Sequence, residues 1–169
     1  ALVSAPVHVQ RPAAGSVAGI WQAVPGAIMR ASPTALGDIF YNGFEEASLP
    51  WGTGCTNPGD PTWGITTHRA AAGTKSAYCC GSTIPPPGPY ANNMNSWIVT
   101  VPPIDLTGVA AATFEYRFWL DSEVGHDQLQ ATVSTDGSHF YGTGWWGFSG
   151  DWMTDSIDLT NVPTLGNVC

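Results

Sequence analysis

The chain carries little charge, and very little of that charge is positive. Of its 169 residues, 5 are Lys or Arg and 13 are Asp or Glu, which gives a formal net charge of −8. Nucleic-acid binding needs Lys and Arg side chains that displace counterions from phosphates, and anionic membranes attract the same residues. The composition therefore argues against nucleic acid and against a polybasic membrane contact. A charged share of 11% also does not suit a long-helix protein or a charged disordered chain.

Long apolar runs and catalytic signatures are missing as well. No run of about 18 apolar residues occurs, so we expect no insertion into a membrane. The sequence lacks the metalloprotease pattern H-E-x-x-H, the nucleophile pattern G-x-S-x-G and the glycine-rich phosphate loops. Glu115 and Asp127 imitate the carboxylate pair of a glycosidase, but Glu115 falls on the solvent side of its predicted strand. We therefore expect that the protein is not an enzyme.

The abundant residues indicate a β protein. The chain contains 20 Gly, 14 Pro and 8 Trp, and Gly and Pro separate short segments that are rich in β-branched and aromatic residues. No amphipathic helix of any length is predicted. Short strands at this spacing are typical of a β-sandwich or jelly roll. The eight predicted strands are residues 39–46, 63–68, 76–80, 94–101, 112–120, 128–135, 139–146 and 152–159.

Two patterns indicate which side chains face the core. Phe114, Tyr116 and Phe118 fall on one face of their strand, because successive side chains of a strand point to opposite sides. The string Ile-Asp-Leu-Thr occurs twice, at 104–107 and 157–160. We interpret its Ile and Leu as core anchors and its Asp as a turn or edge residue.

The charge divides the chain into two parts. Residues 1–37 contain two Arg and no acid, whereas residues 38–169 contain three cations and all 13 acids, so that 3 − 13 = −10. Prolines in the first part exclude a long helix there. We predict an arm or linker over residues 1–37, with a short strand at Pro6–Gln10 or a brief helix near Ile20–Val24 as alternatives. Residues 38–169 are predicted to form one sandwich domain.

The four cysteines are Cys55, Cys79, Cys80 and Cys169. Their even number and the lack of zinc-ligand spacing predict two disulfides, and disulfides indicate a secreted or cell-surface protein. Cys79 and Cys80 rarely bond to each other, because adjacent side chains diverge on a strand. We expect one of them to pair with Cys55 and the other with Cys169. Free thiols in a reducing compartment are the alternative.

Several segments resemble known jelly-roll modules. Asn42-Gly43-Phe44-Glu45-Glu46, followed by Leu49-Pro50-Trp51, resembles the opening strand of carbohydrate-binding modules. Residues 97–107, 114–119 and 121–137 resemble, in order, three segments of the MAM-like jelly rolls appended to immune-inhibitor-A-type secreted metalloproteases and other bacterial exoproteins. Together these segments cover about residues 38–160. The resemblance implies a jelly-roll fold and a non-catalytic accessory role.

The resemblance also implies a sandwich that lacks its closing strands. Jelly rolls of this group continue after the Ile-Asp-Leu strand, whereas this chain ends at Cys169. Unpaired edges are normally covered, so the arm, a neighbouring chain or a fragment of a processed precursor would complete the sheet. We therefore expect an extracellular structural or assembly module, as in a filament, that associates with other protein chains, such as copies of itself in a homo-oligomer.

Acids and tryptophans are the candidate site residues. The resemblance implies that Glu45 is a ligand of structural calcium, and the loop acids Asp121, Glu123 and Asp127 add oxygen ligands of the kind that calcium takes. Solvated loop acids are the alternative interpretation.

Exposed aromatic rings are the usual platform for a sugar ring. Trp145 and Trp146 are adjacent, so on a strand one of them faces away from the core. With Trp51 they form the predicted ligand platform, for a polysaccharide or for another protein. Core packing is the other interpretation of these tryptophans. A carbohydrate-binding accessory module of a secreted enzyme is therefore the alternative to the assembly module.

Overall fold

The computed structural model describes residues 2–10, 38–47, 51–86, 88–106 and 112–159. These residues form ten strands and no α-helix, which confirms the predicted all-β fold class. A helix able to cross a membrane is not found among them. The strands are β1 (Leu2–Gln10), β2 (Asp38–Asn42), β3 (Gly52–Cys55), β4 (Gly64–Thr66), β5 (Ser76–Tyr78), β6 (Ser96–Val99), β7 (Thr113–Trp119), β8 (Leu129–Ser134), β9 (Phe140–Trp145) and β10 (Met153–Asp158).

Each of the eight predicted strands overlaps a strand of the structure, and most observed strands are shorter than predicted. All strand pairs are antiparallel. Six strands form one large sheet, and the pairs β3–β6 and β8–β9 form two small sheets. This arrangement is that of a β-sandwich, with the large sheet as one layer.

The strand β1 is central in the large sheet. The strand order is β10-β7-β1-β5-β4, and β2 also pairs with β1. Along one edge β1 pairs with β7, in a register that is irregular between Ser4 and His8. Pro6 lies in this irregular part, where its missing N–H removes no regular ladder bond. The predicted arm boundary at residue 37 stays a prediction, because residues 11–37 lie outside the described residues.

An aromatic ladder on β7 forms the centre of the core. Phe114, Tyr116 and Phe118 stack along one face, as predicted, with ring centroids 5.3 Å and then 6.1 Å apart. The sheet β8–β9 packs on this face through Trp145, whose ring centroid lies 4.9 Å from that of Phe118. Burial of each such side chain contributes about 1.5–3 kcal/mol, so the ladder joins the two layers. The predicted core anchors are also buried: Ile104, Leu106, Ile157 and Leu159.

The strand β2 ends at Asn42, well before the predicted end of this strand at residue 46. Asn42 Oδ1 accepts a hydrogen bond from the Phe44 N–H at 2.8 Å. Phe44 has a φ of 58°, a conformation in which bulky residues are rare. Its side chain is 1% exposed and packs on Trp51, with 5.5 Å between the ring centroids, and this burial offsets the strain. The turn places Phe44 in the core and leaves Glu45 at the surface.

Candidate functional site

The adjacent residues Trp145 and Trp146 have different environments, as their alternation predicts. Trp145 packs on the core, with its ring centroid 5.8 Å from that of Tyr116 and 4.9 Å from that of Phe118. Trp146 is 55% exposed. Of the two, Trp146 is therefore the one that offers its ring to a ligand.

Two exposed apolar side chains accompany Trp146. Phe148 and Val124 are each 68% exposed. Gly147, between the two aromatic residues, has a φ of 90°, and a Cβ at this position would lie 3.2 Å from Val124 Cγ2. Glycine therefore permits both the turn and the close approach of the two loops. We call Val124, Trp146 and Phe148 the apolar face.

Two serines hold together the loops that carry the apolar face. Ser122 Oγ accepts the Gly147 N–H at 3.0 Å and donates to the Asp127 carbonyl at 3.1 Å. Ser149 Oγ accepts the Leu120 N–H at 3.0 Å. Backbone hydrogen bonds of 3.0 Å and 2.9 Å add to these contacts, from Ser122 N–H to the Gly147 carbonyl and from Ser149 N–H to the Leu120 carbonyl. The apolar face is thus presented on a hydrogen-bonded scaffold.

The acidic loop predicted from the sequence lies beside the apolar face. Asp121 forms an antiparallel bridge with Phe148. Glu123 and Asp127 follow in one turn, closed by a 3.0 Å hydrogen bond from the Asp127 N–H to the Glu123 carbonyl. The structure therefore brings Trp146 and these three acids to one end of the sandwich, although they were predicted as separate sites.

Asp127 is the most constrained of these acids. Its Oδ2 accepts a hydrogen bond from the Tyr90 hydroxyl at 2.7 Å. Burial, and after it this hydrogen bond, raise the pKa of Tyr90 to about 12, so the phenol remains a donor at neutral pH. Glu123 is exposed and lies 3.9 Å from His126 Nε2.

Glu45, the fourth predicted acid, fastens a loop. Its Oε1 accepts the N–H groups of Thr74 at 2.8 Å and Lys75 at 2.9 Å, and its Oε2 accepts the Thr74 hydroxyl at 2.7 Å. The bond from the Thr74 side chain, followed by the two backbone bonds, lowers the pKa of Glu45. Lys75 Nζ donates to the carbonyl oxygens of Glu45 at 2.6 Å and Glu46 at 2.9 Å.

These contacts do not fit a calcium ion at Glu45. Both carboxylate oxygens accept hydrogen bonds, and the Lys75 ammonium lies against the two carbonyl oxygens that would otherwise suit a cation. Within the part of the chain that the structure describes, no three His, Cys, Asp or Glu side chains form a group able to hold a metal. These contacts argue against the predicted calcium ligand Glu45, whereas calcium binding by Asp121, Glu123 and Asp127 stays a prediction.

Trp51, the third predicted ligand residue, packs on the core. Its ring centroid lies 5.7 Å from that of Phe40 and 5.5 Å from that of Phe44. Its indole N–H is buried without a hydrogen-bond partner. Trp51 therefore packs in the core, whereas the ring of Trp146 is exposed to solvent and available to a ligand.

Three of the four cysteines lie in the described residues, and no disulfide bond joins them. The expected bond from Cys55 to Cys79 or Cys80 is therefore not formed in the structure. Cys169 lies outside the described residues, so the disulfide assignment stays a prediction. Burial, and then the neighbouring Cys79, raise the pKa of Cys80 to about 11, which keeps this thiol protonated at neutral pH.

A cavity of about 950 Å³ lies between the layers. Core side chains such as Trp63 and Leu129 line it, together with Leu106 and Leu159. Leu106 and Leu159 are both buried core residues. The apolar face is the better-defined candidate site.

Sequence reasoning missed a group of residues on the outer side of β7. Arg69 Cζ lies 4.0 Å from the centroid of the Trp119 ring. Phe148 meets the same ring edge-on, with centroids 5.8 Å apart and an interplanar angle of 86°. The signal for Phe148 was its place in a glycine-rich loop, where an aromatic side chain has little local structure to bury it. No local sequence pattern predicts the contact between Arg69 and Trp119, because the two residues are far apart in the chain.

Comparison with known proteins finds no family model that matches the chain, and no similar curated protein or solved structure. The resemblance to MAM-like and carbohydrate-binding jelly rolls therefore remains a hypothesis.

Proposed function

We propose that the chain is a non-catalytic binding module of a secreted or cell-surface protein, and that its apolar face binds carbohydrate. The exposure of Trp146 and Phe148, on a loop that hydrogen bonds fasten to the segment 120–122, carries this proposal. Large apolar side chains grouped on a surface mark an interaction site. Aromatic rings with polar groups around them suit the alternating apolar and hydroxyl surfaces of a sugar.

The neighbouring loop favours a sugar over a wholly apolar partner. Asp121 and Glu123 are exposed beside the apolar face. Their carboxylates accept hydrogen bonds, which the hydroxyl groups of a sugar donate. A pyranose ring stacked on Trp146 would bring its equatorial hydroxyls toward this loop.

The position of β1 supports a sandwich that is completed by its own arm. β1 pairs with β7 along one edge and with β2 and β5 along the other. Without β1, the facing edges of β7 and β5 would be left unpaired, and such edges recruit other chains. If β1 fills this gap, the large sheet is completed without a strand from a neighbouring chain.

A structural or assembly role is the second candidate, and β10 favours it. β10 ends the large sheet, and no described strand pairs with its outer edge. An edge of this kind accepts a strand from another copy of the chain or from a processed fragment. Native mass measurement tests this role. A mass above 17.8 kDa under native conditions is expected for the assembly, and a uniform monomer would contradict it.

Retention on polysaccharide resins tests the carbohydrate proposal. We expect retention on at least one of cellulose, chitin and galactan, and a loss of about tenfold in Trp146→Ala, because a central tryptophan contributes more than about 1 kcal/mol to binding. Phe140→Ala is the matched control, since Phe140 is 54% exposed and lies at the opposite end of β9. Equal retention of Trp146→Ala and the unmodified chain on every resin would refute the proposal.

A further inference from the structure

Two arginines lie close together on the outer side of the large sheet. Arg117 belongs to β7, and Arg69 belongs to the loop before β5; both are partly buried. Arg69 Cζ lies 4.0 Å from the centroid of the Trp119 ring. Arg117 Nη1 donates to the carbonyl of Ala71 at 3.3 Å. Arg117 and Trp119 are two residues apart on β7 and therefore share one face of the strand, so both arginines lie beside Trp119.

Neither guanidinium has a carboxylate partner in the described structure. The ion pairs found among the described residues involve His126 and His139, not the arginines. Glu115 lies two residues before Arg117 on the same strand face, yet it forms no ion pair with Arg117. The segments outside the described residues contain no Asp or Glu. Among the residues that the structure describes, these two arginines therefore have no acidic side chain as a counter-ion.

The two arginines also leave hydrogen-bond donors unused. In both Arg69 and Arg117, the Nε–H is buried and has no partner. A buried donor or charge without a partner destabilises a fold, and most buried polar groups are paired. The Nε–H groups themselves are closed to solvent, but both side chains are only partly buried. An anion would therefore meet the two guanidinium groups through their remaining N–H donors and compensate their charge.

The surroundings of the arginine pair suit a sugar. Thr154 lies opposite Arg117 on β10, which flanks β7, and directly opposite residues share one face of a sheet. Phe148 meets Trp119 edge-on at 5.8 Å, so the arginine pair is continuous with the apolar face. Positive charges, the hydroxyl-bearing residue Thr154 and aromatic rings are thus combined on one surface.

We propose that Arg69 and Arg117 bind the carboxylate of a uronic acid unit in an acidic polysaccharide. The parallel N–H donors of a guanidinium match the planar carboxylate, and the exposed Phe148 beside Trp119 offers an apolar surface to the ring. This inference rests on the proposed carbohydrate function and names its sugar class. The net charge of −8 does not prevent binding, because charges beyond about 8 Å are largely screened at physiological ionic strength.

Retention on three matched resins tests the inference: polygalacturonate, neutral galactan and sulfated galactan. We expect polygalacturonate to retain the chain most strongly. Arg69→Gln and Arg117→Gln should each lower that retention about tenfold, as expected for lost charge-assisted hydrogen bonds, and should leave galactan retention unchanged. Lys75→Gln serves as the control, because it also removes one positive charge but from an ammonium group that contacts the carbonyl oxygens of Glu45 and Glu46.

Each result has a distinct meaning. Unchanged retention of the double arginine variant on polygalacturonate overturns the site. Equal retention on sulfated galactan, lost in the same variants, overturns the assignment to a uronic acid. If only Trp146→Ala lowers retention on the resins, the result supports carbohydrate binding by the apolar face and contradicts the arginine site. If only Arg69→Gln and Arg117→Gln lower retention, the result supports the arginine site and contradicts binding by the apolar face.

A measurement on the unmodified chain avoids any folding defect of the variants. The Nε–H signals of Arg69 and Arg117 can be followed by ¹⁵N NMR during titration with galacturonate. We expect both signals to shift with galacturonate and to remain in place with galactose. The absence of a shift at saturating galacturonate would also overturn the site.

Discussion

The substitution Ser122→Ala removes the hydroxyl that ties together the two loops of the apolar face. Ser122 Oγ accepts the Gly147 N–H at 3.0 Å and donates to the Asp127 carbonyl at 3.1 Å. Gly147 is buried, so its N–H would lose its partner. A hydrogen bond contributes about 0.5–1.5 kcal/mol, and a buried group left unsatisfied costs about 1–3 kcal/mol. We therefore expect the free energy of unfolding to fall by about 2 kcal/mol.

Thermal unfolding and hydrogen exchange measure this effect. A loss of about 2 kcal/mol corresponds to a decrease in Tm of about 4–8 °C in a chain of this size, and to exchange of the Gly147 amide that is about thirtyfold faster. Ser138→Ala is the control, because Ser138 is exposed and its hydroxyl makes only a 3.4 Å contact with the Asp136 carbonyl. Unchanged exchange at Gly147 together with an unchanged Tm would show that this hydroxyl does not hold the loops.

Two further predictions concern Glu45 and the cysteines. The lowered pKa of Glu45 means that its charge stabilises the fold above its ordinary pKa of 4.5, and that this stabilisation is lost as the pH falls through the lower folded value. Glu45→Gln should therefore lower Tm at pH 7 but not in strong acid, and calcium should leave both melts unchanged; a calcium-dependent rise in the unmodified chain alone would identify Glu45 as a metal ligand. Iodoacetamide should modify the partly exposed Cys55 before the buried Cys80 in reduced native protein. Mass spectrometry that finds equal rates would contradict the burial of Cys80.

The sequence predicted the strands that have one buried face. In β7, the alternation of Phe114, Tyr116 and Phe118 with other residues identified both the strand and its inner side. The repeated Ile-Asp-Leu string identified two pairs of buried anchors: Ile104 and Leu106 in the segment after β6, and Ile157 and Leu159 at the end of β10. These features are local, because a period of two residues follows from the geometry of a single strand.

Elements that depend on a distant partner were not predicted. The segment of β3 reads Gly-Thr-Gly-Cys, which has low strand propensity. Gly54 is nevertheless suited to its place, because a side chain there would overlap the Trp97 indole on β6. The predicted strand 39–46 was too long, because the turn at Phe44 is stabilised by burial against Trp51.

The candidate site was predicted in parts. Adjacency of Trp145 and Trp146 showed that one ring faces outward, but the packing of β9 on β7 decided which one. The acids of loop 121–127 were identified from composition. Their position beside Trp146 depends on hydrogen bonds between Ser122 and Gly147, which no local pattern encodes.

By itself, the sequence determined that this protein is all-β, acidic and poor in positive charge. Composition and strand periodicity are local properties, because neither depends on contacts between residues that are distant in the chain. The tertiary structure decided that Trp146 is the exposed ring, that Glu45 fastens a loop, and that Arg69 lies over Trp119. The physical reason is that exposure and pairing depend on residues far apart in the chain. Their contacts exist only once the sheets have packed.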